Sequence, residues 1–383
     1  MTDRTIIKIL ICLIVSVTEA NLLFAQNNRD RTIRQGTVLQ KKDPPLLVQI
    51  HNPNENLYPA HDPVIIKPQI PPQTKRPAQT GIVNLDSLRW RDMCILPDPV
   101  SKTYYIVGPG GRSVRCYTSK DLKNWEGPKM IYTAPQDVWG EISIVSIWAP
   151  EMHFYKGKYY LFLTFDTRNK LCEQWLNWER NGRVTRGSQI LVSDSPTGPF
   201  IAFQKRSTLP VDMMTLDGTL YVEDRIPYMV YCHEWVQVTN GAVGYVQLKD
   251  DLSDIVGVPK NLFRGSQAPW SKISDQYGCN VTDGPYFYMG KTGKLYMTWT
   301  SGGYEGYTCG IAISESGKLA GPWKQQVEPL YKNDGGHGMI FKTFEGKIML
   351  ILHSPNNMGS RPRIFDMEDT GETLRVVKEF TGN

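Results

Sequence analysis

From Leu88 onward the chain alternates short apolar runs, rich in Tyr, Val, Ile and Leu, with turns of Gly, Pro, Asp and Lys. The runs are too short and too aromatic for helices, and no long helical period separates them. They also recur. Tyr104-Tyr105-Ile106-Val107 follows Lys102-Thr103, and Tyr159-Tyr160-Leu161-Phe162 follows Gly157-Lys158. Pro227-Tyr228-Met229-Val230, Leu295-Tyr296-Met297 and Ile348-Met349-Leu350 come after Arg225-Ile226, Gly293-Lys294 and Gly346-Lys347. A second run then leads to a charged turn, as in Cys116-Tyr117-Thr118-Ser119, Leu191-Val192-Ser193-Asp194 and Ile311-Ala312-Ile313-Ser314. Three turns close alike, at Trp125-Glu126-Gly127-Pro128, Gly198-Pro199-Phe200 and Gly321-Pro322-Trp323. Self-similarity at a period of roughly 55–70 residues is the mark of radial or stacked repeats. Five copies of a short antiparallel sheet predict an all-β, five-bladed β-propeller over 86–383, whose radial order protects the strand edges around a central channel. A pair of β-sandwiches is the alternative, but sandwich strands have no need to repeat in this way.

The first 85 residues have a different character. Arg4 and Lys8 flank an apolar run from Ile9 to Val15, and Leu23-Phe24-Ala25 offers a small-residue exit. That is the layout of an export signal over 1–25, cut after Ala25, which leaves no membrane span in the mature chain and predicts a periplasmic or extracellular protein. Residues 26–85 are polar and proline-rich, and read as an extended N-terminal arm or linker.

Composition narrows the partners. Lys and Arg are scattered and the net charge is +5, which argues against nucleic acid. Ten Trp and 19 Tyr supply flat apolar surfaces that pack strands and can also stack on sugar rings. After removal of Cys12 the cysteines are dispersed, with no Cys-x-x-Cys pair to suggest a zinc cluster.

A propeller directs one end of each innermost strand at the channel, so acidic residues just before the apolar strands are the place to look for chemistry. Arg91-Asp92-Met93-Cys94, Leu216-Asp217-Gly218-Thr219 and Thr282-Asp283-Gly284-Pro285 each put one Asp there. An Asp alone at such a point commonly caps a turn. Three at matching points of a repeat predict carboxylates gathered at one end of the channel, as glycoside cleavage requires.

These motifs, with Trp148-Ala149-Pro150-Glu151 and Gly335-Gly336-His337-Gly338-Met339, resemble glycoside hydrolase family 43 over residues from about Leu88 to Thr370. The resemblance implies a substrate that is an oligo- or polysaccharide containing arabinose or xylose, cleaved with inversion. An α-L-arabinofuranosidase is the first expectation and a β-xylosidase the second. It implies Asp92 as general base, Asp217 as the carboxylate that tunes the acid, and Asp283 as the general acid. It also implies no required cofactor, with a possible central calcium ion reached by His337 through water, and Arg361 in the sugar site. Trp148, Trp235, Tyr286 and Phe287 stand beside these motifs as sugar-stacking candidates, whereas Trp125 and Trp323 belong to the repeated turns and are assigned to packing.

Two positions depart from the family pattern. The acid is usually Glu, one methylene longer than Asp283, and Met93 stands where Pro often follows the base. Glu234 and Glu151 are further carboxylates that could take the acid's place, and Glu151 is read mainly as structural. A non-catalytic, carbohydrate-binding propeller that has lost its acid is therefore the rival reading. His61-Asp62-Pro63 imitates the base motif but leads into proline-rich sequence, so it opens no blade. The insertion over 166–187 is the expected specificity loop.

Overall fold

The computed structural model describes residues 81–171 and 182–381; the export segment, most of the arm, the His61-Asp62 decoy and part of the insertion lie outside them. Five antiparallel sheets follow in chain order. From the channel outward, the first contains Cys94–Asp98, Thr103–Pro109, Ser113–Ser119 and Asn124–Thr133. The second contains Ile144–Tyr155, Lys158–Thr167, Gly187–Ser193 and Ile201–Ala202, and the third Thr215–Glu223, Ile226–His233, Ala242–Leu248 and Ile255–Arg264. Asp283–Met289, Leu295–Gly303, Gly306–Ser314 and Trp323–Gln325 make the fourth, and Gly336–Lys342, Ile348–Ser354, Arg361–Asp369 and Leu374–Glu379 the fifth. The chain is an all-β, five-bladed propeller.

Burial explains the repeat seen in the sequence. Each blade's second strand is covered on both faces by its neighbours, so it reads as a continuous apolar run; Lys158–Thr167 and Leu295–Gly303 are buried along nearly their whole length. The outermost strand meets solvent, and Ile255–Arg264 is accordingly mostly exposed. Trp125 is fully buried and donates Nε1–H to the carbonyl of Leu122 at 3.0 Å; Trp323 repeats this with Leu319 at 2.8 Å. The three repeated Gly-Pro turns share a cis peptide bond.

Contacts of several kinds join the last blade to the first. The Leu85–Ser87 turn packs on Arg361–Asp369, and the Phe344 N–H donates to the Tyr104 hydroxyl at 3.1 Å. Residues Gly81–Asn84, at the end of the expected arm, pair with Asn124–Thr133 as a fifth strand of the first blade. The propeller therefore begins a few residues earlier than the repeat reveals, because this strand has no counterpart in the other blades.

One backbone device recurs at the channel. A β-bulge interrupts the inner strand between Trp148 and Glu151, Leu216 and Thr219, Asp283 and Tyr286, and Gly336 and Met339. The residue after each first-named one is left-handed: Ala149 (φ 38°), Asp217 (54°), Gly284 (52°) and His337 (54°), with Asp92 (51°) the counterpart in blade one. Such backbone costs an L-residue about 1–2 kcal/mol, so it persists only where its surroundings enforce it.

Candidate active site

A bulge removes the ladder partner of the left-handed residue, and its N–H must find another acceptor. The blade before supplies it. The Asp217 N–H donates to Thr164 Oγ1 (3.0 Å), that of His337 to Thr300 Oγ1 (2.9 Å), and that of Asp92 to His353 Nδ1 (3.2 Å). In blade four the Gly284 N–H donates to the Asp217 carboxylate at 2.8 Å. Asp92, Asp217 and His337 are thus held at one level of the ring. Asp283 differs from the sequence expectation of three matching positions: it sits one residue before the left-handed Gly284, on the other side of the bulge. Blade four needs Gly284 at the ring because a Cβ there would lie 2.8 Å from the His337 ring.

The carboxyl groups differ in protonation because their surroundings differ. Burial works to raise the Asp92 pKa, yet neighbouring His337, His353 and Arg91 bring it below the ordinary carboxylate value. Of these, Arg91 is the dependable support, with Nε 2.8 Å from Asp92 Oδ2. His353 contributes little positive charge, since burial lowers its pKa to about 4 and its Nδ1 accepts from the Asp92 N–H. Its other nitrogen faces Asn356 Oδ1 at 3.2 Å, which fixes the neutral Nε2–H tautomer. Asp217 is pushed well up, chiefly by burial, against the pull of the Gly284 N–H and with the charges of Asp92, Glu151 and Glu234 adding to the rise. Burial and then the charge of Asp217 raise Asp283 to about 7. The site therefore holds an ionised carboxylate and a protonated one together near neutrality.

These groups line a cavity of about 1000 Å³. On one side Arg186 stacks its guanidinium 4.1 Å above the Trp148 ring, donates to Asp166 at 2.8 Å and pairs with Glu234. Burial pushes the Glu234 carboxyl up despite that partner, and its Oε2 is buried with no hydrogen-bond partner. Trp235 and Tyr277, with ring centres 4.6 Å apart, add a second aromatic surface.

The other sequence candidates fall elsewhere. Strand alternation turns Phe287 away from the channel, where it packs on Tyr221 and Trp323. Tyr286 is beside His153 at 6.4 Å in parallel rings, and Arg361 pairs with Asp86 and Glu379. None of the three is among the residues that line the cavity. Glu151 is buried with Oε2 2.9 Å from His153 Nε2.

His337 Nδ1 stands 3.6 Å from Asp92 Oδ1 and 3.8 Å from Asp217 Oδ2, while its Nε2 is buried and has no partner. Among the described residues no group of three or more His, Cys, Asp or Glu is placed to hold a metal directly. The lone imidazole nitrogen suits a contact through water and not a protein cage for calcium, which favours oxygen ligands.

Sequence reading missed Arg186, Tyr277, Tyr307 and His353. Tyr307 donates its hydroxyl to Asp283 Oδ2 at 2.8 Å, and its ring lies parallel to His353 at 5.4 Å. Both come from ends of the second and third strands, whereas the search along the chain followed the inner strands. His353 pairs with Gly336 on its blade's inner strand as Thr164 pairs with Trp148 and Thr300 with Asp283, a match visible only once the registers are known.

The chain is similar to several known proteins. A solved structure of an endo-arabinase from Bacteroides thetaiotaomicron VPI-5482 is 37% identical, with a TM-score of 0.67; the alignment covers 75% of this chain and 96% of that one. An extracellular exo-alpha-(1->5)-L-arabinofuranosidase of Streptomyces avermitilis is 20% identical over 222 residues, and an extracellular endo-alpha-(1->5)-L-arabinanase 1 of Bacillus subtilis 33% over 78. These stretches take in 55% and 18% of this chain, and only 43% and 24% of those two relatives. Residues 87–375 match the sequence model of glycosyl hydrolases family 43. The chain belongs to glycosyl hydrolases family 43.

Proposed function

We propose that the protein is an inverting glycoside hydrolase acting on α-1,5-linked L-arabinan and its fragments. The observation that carries this reading is the pair of opposed protonation states: Asp92 held low beside Arg91, and Asp283 raised to about 7, around one cavity. In this reading Asp283 gives its proton to the glycosidic oxygen as the C–O bond breaks. Asp92 takes a proton from the water that attacks the anomeric carbon from the opposite face. Asp217 and Asp283 are like neighbours that oppose each other's ionisation, which helps to keep a proton on Asp283, and Asp217 also accepts the neighbouring Gly284 N–H.

The choice of arabinan rests on the printed activities of the similar proteins. The cavity, at the upper end of the ordinary ligand range, suits more than one sugar ring. Trp148 and Trp235 would supply stacking faces, and the clamped Arg186 leaves little unspent positive charge for an acidic sugar. Any calcium ion in the channel would meet His337 Nε2 through water, and no step above depends on it. Export fits a polymeric substrate; no helix among the described residues is long and apolar enough to cross a membrane.

The test is hydrolysis of linear arabino-oligosaccharides, with arabinoxylan fragments beside them, by the native protein and by Asp92→Asn and Asp283→Asn. Release of arabinose or arabino-oligosaccharides by native protein alone, with the product appearing first as the inverted anomer by NMR, supports the reading. Retention of configuration would overturn it, and tight sugar binding without cleavage would favour the binding propeller.

A further inference from the structure

We infer that Tyr307 is the positioning residue of the acid: by holding one oxygen of Asp283 it leaves the other to carry the proton to the leaving group. This rests on the reading of Asp283 as the general acid. A carboxyl group can present its proton from either oxygen, and an Asp reaches one methylene less far than the Glu usual in this family. A shorter acid tolerates less wandering, so something must fix it.

Tyr307 has the geometry to do so. Its hydroxyl donates to Asp283 Oδ2 at 2.8 Å, and burial raises the phenol so that it remains a donor. With Oδ2 thus engaged, Oδ1 bears the exchangeable proton. Tyr307 is itself held from several sides. Its N–H donates to Asp334 Oδ1 (3.1 Å), and its carbonyl accepts the Gly335 N–H (2.8 Å). Its ring stacks on His353 at 5.4 Å and 22°. Gly336 leaves room for that ring, since a Cβ there would come within 2.8 Å of it. Asp334 Oδ2 in turn accepts the Asn356 N–H (3.0 Å), and Asn356 faces His353, whose Nδ1 receives the Asp92 N–H. One partly buried chain of contacts therefore sets the acid in relation to the base. In the step itself, the proton on Oδ1 passes to the glycosidic oxygen as that C–O bond breaks. Asp283 is left as a carboxylate, which Tyr307 continues to hydrogen-bond.

The experiment uses the full chain and the Tyr307→Phe variant, which keeps the ring and its stacking but removes the hydroxyl. Two substrates are compared: an α-1,5-linked arabino-oligosaccharide, whose leaving group needs protonation, and nitrophenyl arabinofuranoside, whose leaving group does not. The expected result is a fall in kcat of about 10- to 100-fold on the oligosaccharide and less than about twofold on the nitrophenyl substrate. KM should change little on either. Equal losses on both substrates, or no loss on either, would overturn the inference and leave Tyr307 a packing residue. Asp283→Asn is run alongside: if it cleaves the oligosaccharide at the native rate, the acid assignment itself is wrong and the role of Tyr307 falls with it.

Discussion

The Asp217 carboxylate accepts the Gly284 N–H at 2.8 Å, so the third blade's acid holds the backbone of the residue next to Asp283. The same carboxylate sits 3.8 Å from His337 Nδ1, and His337 lies 3.6 Å from Asp92. Asp217 therefore touches the surroundings of both proposed proton-transfer groups without being either of them. Its effects divide into charge and geometry, and the two can be separated by substitution.

Asp217→Asn keeps an acceptor for the Gly284 N–H but removes a charge that raises Asp283. In the native protein, kcat/KM should fall as pH rises through about 7, where Asp283 loses its proton. The acid side should fall only below the ordinary carboxylate range, where Asp92 takes one up. Because the like charge is gone while burial remains, Asp217→Asn should shift the alkaline limb to lower pH, with a rate loss of about 10-fold or more at neutrality. Asp217→Ala should lose more, since Gly284 is released as well. A pH–rate profile of the three proteins checks both statements; an unmoved alkaline limb in Asp217→Asn would remove the tuning role.

His353 gives a stability prediction of definite sign. Burial depresses its pKa to about 4, from 6.5 in the unfolded chain. As pH falls from about 6.5 to about 4, the unfolded chain takes up a proton that the native state refuses, so native stability declines across that window by about 3 kcal/mol. His353→Gln, which keeps a side-chain acceptor but cannot titrate, should show a flatter dependence over the same range. Urea unfolding at pH 7 and pH 5 measures it, and equal slopes for both proteins would refute it.

The sequence revealed the repeat, the five sheets and the three Asp residues because each blade writes the same local pattern of apolar strand and Gly-Pro turn. The ring of left-handed residues at the channel was only partly legible. Ala149, Gly284 and His337 share the backbone shape of Asp92 and Asp217 but not their chemistry, so letters alone placed Asp283 in register one residue too far along. Of the stacking candidates near the motifs, Trp148 and Trp235 reach the cavity, whereas Tyr286 lies beside His153 and Phe287 faces between blades. Arg186 and Tyr307 carried no signal at all. Their importance depends on which carboxylate each meets, Arg186 being 48 residues from Glu234 and Tyr307 being 24 from Asp283.

Arg186 lies between Asp166 and Glu234, with its side chain 11% exposed and that of Glu234 1% exposed. Replacing it by Met keeps much of the packing against Trp148 but leaves two carboxylates without their cation. Removing one partner of a buried pair costs about 3–5 kcal/mol, because the other charge stays behind. Arg186→Met should therefore lower Tm by roughly 10 °C. Adding Glu234→Gln should recover a substantial part of the loss, since the more deeply buried of the two residual charges is then gone. Calorimetry on the single and double variants decides this; simple additivity would mean that the pair is not coupled.

Gly284 connects fold and chemistry most directly, and its replacement by Ala should damage both. The residue has φ 52°, and an added Cβ would lie 2.8 Å from His337 Cγ and 3.0 Å from its Nδ1. The ring cannot retreat freely, because His337 is 3% exposed and its N–H is tied to Thr300. Strain at the left-handed position adds about 1 kcal/mol or more. The imidazole would be driven from its place between Asp92 and Asp217, disturbing the base and the tuning carboxylate at once. Gly284→Ala should therefore lose activity by about 10²-fold or more on both activated and unactivated substrates, unlike Tyr307→Phe, with a fall in Tm of several degrees. Gly293→Ala, at a left-handed turn (φ 81°) with open space around the missing Cβ, is the control: it should lose stability from backbone strain alone and keep its rate. If Gly284→Ala also kept its rate, the position of His337 would be irrelevant to the reaction, and the ring of left-handed residues would be a structural device only.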